Sequence, residues 1–235
     1  MSKKFKVAFQ GEKGAYSHLA CLEIFPSAEV KACKTFDEAF MMAKESSEYK
    51  IVIPITNSST GSIADMHYLL PKYKLQIHAE HFQKVSHNLL GIKNSKIQDI
   101  KTVRSHAQAL SQCSKIILEN NFKALVSADT AGSAKLISEW NSINDAAIAS
   151  ELAAKIYNLD IIDSNFQDTS YNVTRFLVMS KNMENFEKDV MGLITTLVFK
   201  VRSIPAALYK SLGGFASNSI NITKLESYVH PQGFD

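Results

Sequence analysis

Short apolar runs alternate with amphipathic segments of helical period over the first 180 residues. The strand-like runs are Phe5–Phe9, Ile51–Ile55, Leu75–Glu80, Ile100–Val103, Ala124–Val126, Ala146–Ala149 and Arg175–Met179. The helical segments between them are Tyr16–Phe25, Phe36–Lys44, Ile63–Leu70, Gln108–Glu119, Ala131–Trp140 and Glu151–Tyr157. Strands that alternate with helices predict α/β units around mostly parallel sheets.

The pattern changes after residue 180. Residues 181–192 are polar and charged, end in a glycine and are interpreted as a linker. Beyond them, Leu193–Val201 predicts a strand, Pro205 a helix start and Ile220–Ser227 a second strand. This strand-helix-strand piece, 193–235, is short for an independent domain, so we expect it to be incomplete or to need a partner.

Composition excludes several classes of protein. The 235 residues are 46% hydrophobic and 21% charged, which is typical of a globular chain. The net charge is only +3 and no dense Lys/Arg cluster is present, so nucleic acid is not an expected partner. Apolar runs are too short to span a bilayer, and no cleavage-type segment follows the basic N-terminus, so we expect a cytoplasmic protein that makes no use of a membrane.

The spacing of potential metal ligands predicts neither a metal site nor a disulfide framework. Cys21, Cys33 and Cys113 are odd in number and lack C-x-x-C spacing. The seven histidines lack an H-E-x-x-H or similar spacing, and no G-x-S-x-G hydrolase elbow is present. We therefore expect no metal, and no nucleotide cofactor is implied.

Polar residues follow several predicted strands at the point where a helix begins. Gln10 to Ser17 holds two glycines, which could let backbone amides approach an anion. A turn that needs positive φ explains these glycines at least as well. Residues 54–61, 105–108 and 127–130 offer hydroxyls and amides that suit a carboxylate ligand, although each alone could be a capped helix start. Three such corners can face a common crevice, because ligands of α/β sheets bind at the carboxyl ends of strands.

Five motifs in order resemble prephenate dehydratase, the dehydratase family of phenylalanine biosynthesis. They are Val7–Gly11 with Gly14–Ser17, Pro54-Ile55-x-Asn57-Ser58-x-x-Gly61, Ser105-His106-x-Gln108-Ala109-Leu110-x-Gln112-Cys113, Ala146–Ser150, and Asn172-x-Thr174-Arg175-Phe176. The tail, with Ala207, Leu208, Glu226 and Ser227 at its matching positions, resembles the start of the ACT regulatory domain.

The resemblance implies a fold and a reaction. The fold is a two-lobed α/β catalytic region, similar to type II periplasmic binding proteins, with a cleft between the lobes and a partial, ferredoxin-like ACT domain behind it. Lobe 1 would comprise about 1–79 plus 175–180, and lobe 2 about 80–174. The implied reaction removes water and carbon dioxide from prephenate to give phenylpyruvate, without a cofactor.

The resemblance also assigns roles to residues. Thr174 would be the catalytic hydrogen-bond donor or acid towards the leaving hydroxyl. Arg175 would be a carboxylate anchor or the support that aims Thr174. The residues that would line or adjoin the substrate cleft are Asn57, Ser58, Ser105, Gln108, Thr130 and Gln10.

This chain departs from the family pattern in places. Thr56 stands where Glu usually precedes Asn-Ser, and Ala107 replaces the Pro of Ser-His-Pro-Gln. An ACT domain is a βαββαβ unit, whereas only βαβ is predicted here. L-phenylalanine is the effector that the resemblance implies, and we expect a weak or absent response to it; a homo-dimer or homo-tetramer is also implied.

Two alternatives stay open. Arogenate dehydratase removes the same groups from the amino analogue, and the motifs do not distinguish the two substrates. A catalytically weak cytosolic binding protein of the same fold is favoured slightly by Thr56, whereas the intact motif around Thr174 favours the enzyme.

Overall fold

The computed structural model describes residues 5–183 and 192–228. The chain divides into two compact units, residues 1–184 and 185–235. The first unit contains two α/β lobes, each built around one sheet. The two-lobed α/β architecture expected from the resemblance is confirmed.

The first lobe is built around a six-stranded sheet. Its strands pair in the order β2-β1-β3-β11-β5, and β4 pairs with β3 outside this path. The elements are β1 (Lys6–Gln10), α1 (Tyr16–Ile24), β2 (Glu29–Cys33), α2 (Phe36–Glu45), β3 (Tyr49–Asn57), β4 (Gly61–Ser62), α3 (Asp65–Tyr73), β5 (Gln76–Lys84) and, after the second lobe, β11 (Val173–Ser180).

The second lobe is built around five strands in the order β10-β6-β9-β7-β8. Its elements are β6 (Asn88–Gly91), a 3₁₀ turn (Ile97–Asp99), β7 (Thr102–Ser105), α4 (Ala107–Gln112), α5 (Ser114–Glu119), β8 (Lys123–Val126), α6 (Thr130–Trp140), β9 (Asp145–Ala149), α7 (Glu151–Ile156) and β10 (Asp160–Asp163).

Burial on both faces explains why β3 has an unbroken apolar run. Ile51 and Ile53 pack with Phe40 of α2 on one face of the sheet. Val52, between them, packs with Ala20 of α1 on the other face. Successive side chains of a strand point to opposite faces, so a strand covered on both sides needs apolar residues at every position.

The expectation of mostly parallel sheets was wrong. In the first lobe β11 runs antiparallel to both β3 and β5, and in the second lobe β6 runs antiparallel to β9 and β10. Both lobes therefore have mixed sheets, because the chain crosses between lobes and returns through a strand of opposite direction. The crossing also lies later than Glu80, since β5 continues in the first sheet to Lys84.

The single helix predicted over Gln108–Glu119 is two helices that meet at Cys113. The Asp168 carboxylate accepts hydrogen bonds from the backbone N–H groups of Lys115 and Ile116, at 3.1 and 3.3 Å. An acceptor from a distant segment thus caps α5, which a local pattern cannot reveal.

The second unit departs most from expectation. Residues 192–228 contain one helix, α8 (Ala207–Ser217), and the strands predicted over Leu193–Val201 and Ile220–Ser227 are not formed. Two strands and a helix are too few for a stable sheet, and apolar side chains such as Leu197 stay largely exposed. Pro205 precedes the helix instead of opening it, since Ala206 takes the left-handed conformation at the N-cap.

Of the regulatory residues, Ala207 and Leu208 begin α8, while Glu226 and Ser227 lie in irregular chain. Most of the predicted linker, residues 184–191, lies outside the described residues. Within the part of the chain that the structure describes, no helix is long and apolar enough to cross a membrane.

Candidate active site

The polar corners of the two lobes lie on sheet edges that face each other. β1 and β3 are parallel and end at Gln10 and Asn57, and β11 runs the other way and begins beside them. In the second lobe the parallel strands β7, β8 and β9 also end at a common edge. These two edges are the carboxyl edges where ligands of α/β sheets bind.

The loop after β1 joins the two edges. The Ser150 hydroxyl, which follows β9, donates to the Gly14 carbonyl at 2.5 Å, and the Tyr157 hydroxyl donates to the Lys13 carbonyl at 2.8 Å. Gly14 has φ +95°, and a Cβ there would lie 2.9 Å from the Ala153 Cα. Its glycine is therefore needed for both backbone conformation and close approach of the lobes.

Thr174 and Asn57 form the centre of the candidate site. They are register partners on β11 and β3, and Asn57 Nδ2 donates to Thr174 Oγ1 at 2.9 Å. Asn57 Oδ1 accepts from the backbone N–H groups of Ser59 and Thr60 at 2.9 and 3.1 Å, which fixes the orientation of the amide. Because Thr174 Oγ1 accepts this bond, its own O–H proton is available for another acceptor.

Ser58 lies beside this pair on the turn after β3. Its hydroxyl oxygen accepts from the Val173 backbone N–H at 3.0 Å, and its backbone N–H donates to the Val173 carbonyl at 2.9 Å. The side chain is exposed, and its O–H proton is also available to a ligand.

Ser105 differs from the other sequence-predicted binding residues. It is fully buried, and its hydroxyl donates to the Ile148 carbonyl at 2.6 Å. The single proton of this hydroxyl therefore forms a hydrogen bond between β7 and β9. This contact favours a structural role for Ser105 over substrate binding.

A chain of polar side chains continues from Asn57 into the second lobe. Asn57 Nδ2 donates to Asn172 Oδ1, and Asn172 Nδ2 donates to Gln112 Oε1, both at 2.7 Å. Gln112 Oε1 also lies 2.8 Å from His87 Nε2, and His87 Nδ1 lies 3.0 Å from the Tyr16 hydroxyl. Five side chains thus connect α1, the crossing segments and α4 to the Thr174 pair.

Burial controls the ionisation of the inner end of this chain. Desolvation lowers the pKa of His87 below its ordinary value, against a smaller opposing effect of the hydrogen bond to Gln112. Desolvation also raises the pKa of Tyr16. His87 is therefore a neutral imidazole at neutral pH, and Tyr16 a neutral phenol.

Arg175 pairs with a carboxylate of its own lobe. Its Nε donates to Glu80 Oε2 at 2.7 Å, and the two side chains are 22% and 34% exposed. Arg175 lies directly opposite Thr56 in the β3–β11 register, and the Thr56 hydroxyl is 3.2 Å from that of Ser62. This geometry favours the supporting role for Arg175 over the role of a substrate anchor.

The remaining predicted residues lie at strand or helix ends. Gln10 ends β1 and is half-buried, Gln108 is exposed in the first turn of α4, and Thr130 begins α6. All can present donors to a ligand at the carboxyl edges. Within residues 5–183 and 192–228, no cluster of three His, Cys, Asp or Glu side chains suits a metal ion.

A cavity of about 270 Å³ is lined by Glu12 of the loop after β1 and by residues along α6 and the turn before it. Glu12, Asp129 and Glu139 line it together with Lys135. Three carboxylates against one ammonium disfavour an anionic ligand, so the cluster around Thr174 is the better candidate for carboxylate chemistry.

Sequence reasoning missed four members of the polar chain. Gln112, Asn172 and Tyr16 stand within the quoted motifs, and their side chains could have been considered as acceptors or donors there. His87 lies outside every motif, and its spacing from the other histidines is informative only about a metal site. Its contact with Gln112 joins positions 25 residues apart, a relationship that no local pattern carries.

The family model and two of the relatives that match this chain carry prephenate dehydratase in their names. The family model described as prephenate dehydratase matches residues 7–184. A bifunctional N-acyl-homoserine lactone acylase/prephenate dehydratase of Komagataeibacter europaeus is 40% identical, over 95% of this chain and 79% of the relative. Arogenate dehydratase/prephenate dehydratase 1 of Arabidopsis thaliana, a chloroplastic protein, is also 40% identical, over 95% of this chain. The chain spans only 57% of that plant relative.

Two solved structures share the fold of this chain. A structure titled GqqA, a novel type of quorum quenching acylase, has a TM-score of 0.89 and 39% identity, over 97% of this chain and 83% of the other. Prephenate dehydratase from Arthrobacter aurescens in complex with L-Phe has a TM-score of 0.82, over 95% and 76% of the two chains, and its 23% identity supports the fold alone. From the extent of the family match and the identity to its relatives, the chain belongs to the prephenate dehydratase family.

Proposed function

We propose that this protein converts prephenate to phenylpyruvate, with loss of water and carbon dioxide, in aromatic amino acid biosynthesis. The observation that carries the proposal is the hydrogen bond from Asn57 to Thr174 Oγ1, in which Thr174 accepts, so that its own proton can be donated to another acceptor. The hydroxyl that leaves the substrate ring is such an acceptor. The reaction is redox-neutral, so a redox cofactor has no part in it.

The electron flow needs little from the protein. As the ring carboxylate departs as carbon dioxide, the electrons of its C–C bond enter the ring, and the C–O bond to the hydroxyl breaks. The hydroxide takes one proton and leaves as water, so the dianion plus one proton gives phenylpyruvate, carbon dioxide and water. Thr174 stabilises the developing charge on that oxygen as a hydrogen-bond donor, and solvent supplies the net proton.

Binding the two substrate carboxylates falls to neutral donors in this proposal. Ser58, Gln108, Thr130 and Gln10 supply hydroxyls and amides at the facing sheet edges. Neutral donors hold the side-chain carboxylate in place without strongly stabilising the ring carboxylate, whose loss drives the reaction. Arg175, paired with Glu80, holds β11 in position instead of binding substrate.

Arogenate dehydratase is the second candidate, because the plant relative carries both activities in its name. The substrates differ only in an amine or ketone on the side chain. N-acyl-homoserine lactone acylase is a third candidate on the name of the Komagataeibacter relative. The Thr174 cluster supports a dehydratase directly, whereas the imidazole of its polar chain, His87, contacts the Tyr16 phenol and the Gln112 amide rather than a serine or threonine hydroxyl.

Purified protein mixed with prephenate and, separately, with arogenate tests the proposal through formation of phenylpyruvate or phenylalanine. An N-acyl-homoserine lactone is added in a third series, with release of the free fatty acid as the measurement. Turnover of prephenate that Thr174→Ala loses supports the proposal. Turnover of arogenate or of the lactone alone would replace it, and binding of prephenate without turnover would favour a binding protein. Assembly as a homo-dimer or homo-tetramer and a cytoplasmic location stay predictions.

A further inference from the structure

We propose that His87 and Gln112 are positioning residues that fix the orientation of the Asn172 amide, and through it the hydrogen bonds that reach Asn57 beside Thr174. Consecutive side chains of this polar chain lie 2.7 to 3.0 Å apart, between α1 and the Thr174 pair, and His87 and Asn172 among them are buried. The kinetic consequence rests on the proposed dehydratase function. The bond directions themselves do not.

The two amide hydrogens of Asn57 determine that Thr174 accepts a hydrogen bond. The Nδ2 group has two hydrogens, and it has two close acceptors, Asn172 Oδ1 at 2.7 Å and Thr174 Oγ1 at 2.9 Å. With Oδ1 held by backbone N–H groups, Asn57 donates to both. Thr174 is an acceptor here and hence a donor elsewhere. This arrangement needs Asn172 to present its oxygen to Asn57, because an NH2 group in that place would oppose the NH2 group of Asn57.

Gln112 determines which end of the Asn172 amide faces Asn57. Asn172 is 4% exposed, and its Nδ2 donates to Gln112 Oε1 at 2.7 Å. If Gln112 turned its own NH2 group towards Asn172, two donors would meet in a buried place. Asn172 would then rotate its amide, and its NH2 would face that of Asn57.

His87 prevents that rotation. Its Nε2 lies 2.8 Å from Gln112 Oε1, and because an amide oxygen can only accept, a hydrogen bond at this contact requires the tautomer with the proton on Nε2. Nδ1 of the neutral ring is then an acceptor and faces the Tyr16 hydroxyl at 3.0 Å. The Tyr16 hydroxyl also donates to the Ser86 carbonyl, which is 2.7 Å away.

The tautomer of His87 gives a direct test. In the full chain labelled with ¹⁵N-histidine, the ring nitrogens of His87 are assigned by the loss of their signals in His87→Gln. We expect a protonated Nε2 and an unprotonated Nδ1 at neutral pH. A proton on Nδ1 with a bare Nε2 would overturn the proposal, whichever substrate the enzyme uses.

Kinetics give the second test. His87→Leu removes the donor, whereas the amide of His87→Gln keeps an N–H near the position of Nε2. We expect kcat on prephenate to fall about 10- to 100-fold in His87→Leu with KM changed less than about 2-fold, since a misdirected catalytic group affects the reacting geometry more than binding. His87→Gln is expected to retain most of kcat. Ser138→Ala, which removes a half-buried bond to the Tyr157 carbonyl in the same lobe, is the control.

Combining two variants separates positioning from general loosening. His87→Leu and Gln112→Met act on one path, so the double variant is expected to lose about as much kcat as the worse single variant. Losses that multiply, or a folded His87→Leu with unchanged kcat, would overturn the proposal. If His87→Leu does not fold, Gln112→Met against Gln112→Glu, which keeps the acceptor, makes the same comparison. A wild type inactive on prephenate would refute the proposed function and leave the tautomer test standing.

Discussion

Asn57 donates a 2.9 Å hydrogen bond to Thr174 across the β3–β11 pair, although the two residues are 117 positions apart in the chain. The bond occupies the Thr174 oxygen as an acceptor and leaves the proton of the same hydroxyl unused. A threonine on a strand, otherwise an ordinary residue for a sheet, thereby becomes an oriented donor at the edge where the two lobes face each other.

Removal of this donor is the first prediction. Thr174→Ala is expected to abolish turnover of prephenate, whereas Thr174→Ser, which keeps the hydroxyl, retains measurable turnover. The fold is expected to survive, because the loss of one acceptor for Asn57 costs about 1 kcal/mol of unfolding free energy. Steady-state kinetics and urea unfolding check both parts. Full activity in Thr174→Ala would refute the role of the hydroxyl.

The ion pair of Arg175 gives a rescue experiment. Glu80→Gln removes the charge that holds Arg175, and we expect a cost of about 0.5–1 kcal/mol in unfolding free energy, since the pair is partly exposed. Thr56 lies opposite Arg175, and opposed residues of an antiparallel pair have Cβ atoms about 5 Å apart. Thr56→Glu in the Glu80→Gln background is therefore expected to restore the lost stability.

Thr56→Glu in the wild-type background tests whether Thr56 lowers the catalytic rate. Thr56→Glu alone is expected to leave kcat within about 3-fold of the wild type, because Glu80 already neutralises Arg175. A gain of more than about 10-fold in kcat would instead mean that the site lacks an acid at position 56.

Gly14 and Gly61 form a matched pair for the contact between lobes. Both have positive φ, at +95° and +82°, but a Cβ at Gly14 would meet Ala153 at 2.9 Å whereas one at Gly61 would meet nothing within 4 Å. Gly61→Ala is expected to cost about 1 kcal/mol of unfolding free energy from backbone strain. Gly14→Ala is expected to cost clearly more and to raise KM. Equal costs in thermal unfolding would contradict a tight approach of the lobes.

The lowered pKa of His87 predicts acid sensitivity. The unfolded chain binds a proton at this residue near pH 6.5, while the folded chain resists protonation because the ring is desolvated. The unfolded state therefore binds more protons below about pH 6.5, and stability falls as the pH drops through that value. His18 has its pKa lowered in the same direction by burial and by Lys13.

The melting temperature at pH 7.5 and pH 5.5 measures this effect. We expect a lower value at pH 5.5, a smaller difference in His87→Gln, and a still smaller one when His18→Gln is added. A difference that neither substitution changes would show that other groups control acid unfolding.

Phenylalanine is expected to have little effect on turnover by this chain. The two strands that a regulatory sheet needs are not formed in residues 192–228, where Ala207 begins α8 and Glu226 lies in irregular chain. Titration of L-phenylalanine into the prephenate assay checks this expectation. Strong inhibition at low concentration would contradict it.

Local patterns predicted most elements of the first unit but not the sheets they form. The helix predicted over Phe36–Lys44 is a case in point, because the Thr35 hydroxyl caps its start within one turn by accepting from the Glu38 N–H at 3.1 Å. β2, β4, β6 and β10 were not predicted. They have only two to five residues each, too few for a clear pattern, although β2 alternates and β6 is fully buried. The direction of β11 depends on where the chain returns from the second lobe, which no local pattern encodes.

The candidate site divides in the same way. Thr174, Asn57 and Ser58 were identified from motifs, and the structure brings them together at one end of β3 and β11. Ser105 belongs to a motif as well, but its hydroxyl is turned inward to Ile148. The orientation of a side chain depends on three-dimensional packing. A motif can therefore identify a residue without showing whether it binds a ligand or has a structural role.

The central position of β11 has a consequence for the order of folding. β11 lies between β3 and β5, yet the ribosome makes it only after the whole second lobe. The second lobe is one continuous stretch and can form as soon as it has emerged, whereas the N-terminal lobe keeps two strand edges open until the chain comes back. Pairing over such sequence distances is slow, and open edges invite association with other chains. The newly made N-terminal lobe is therefore the part of this protein that most needs protection during synthesis.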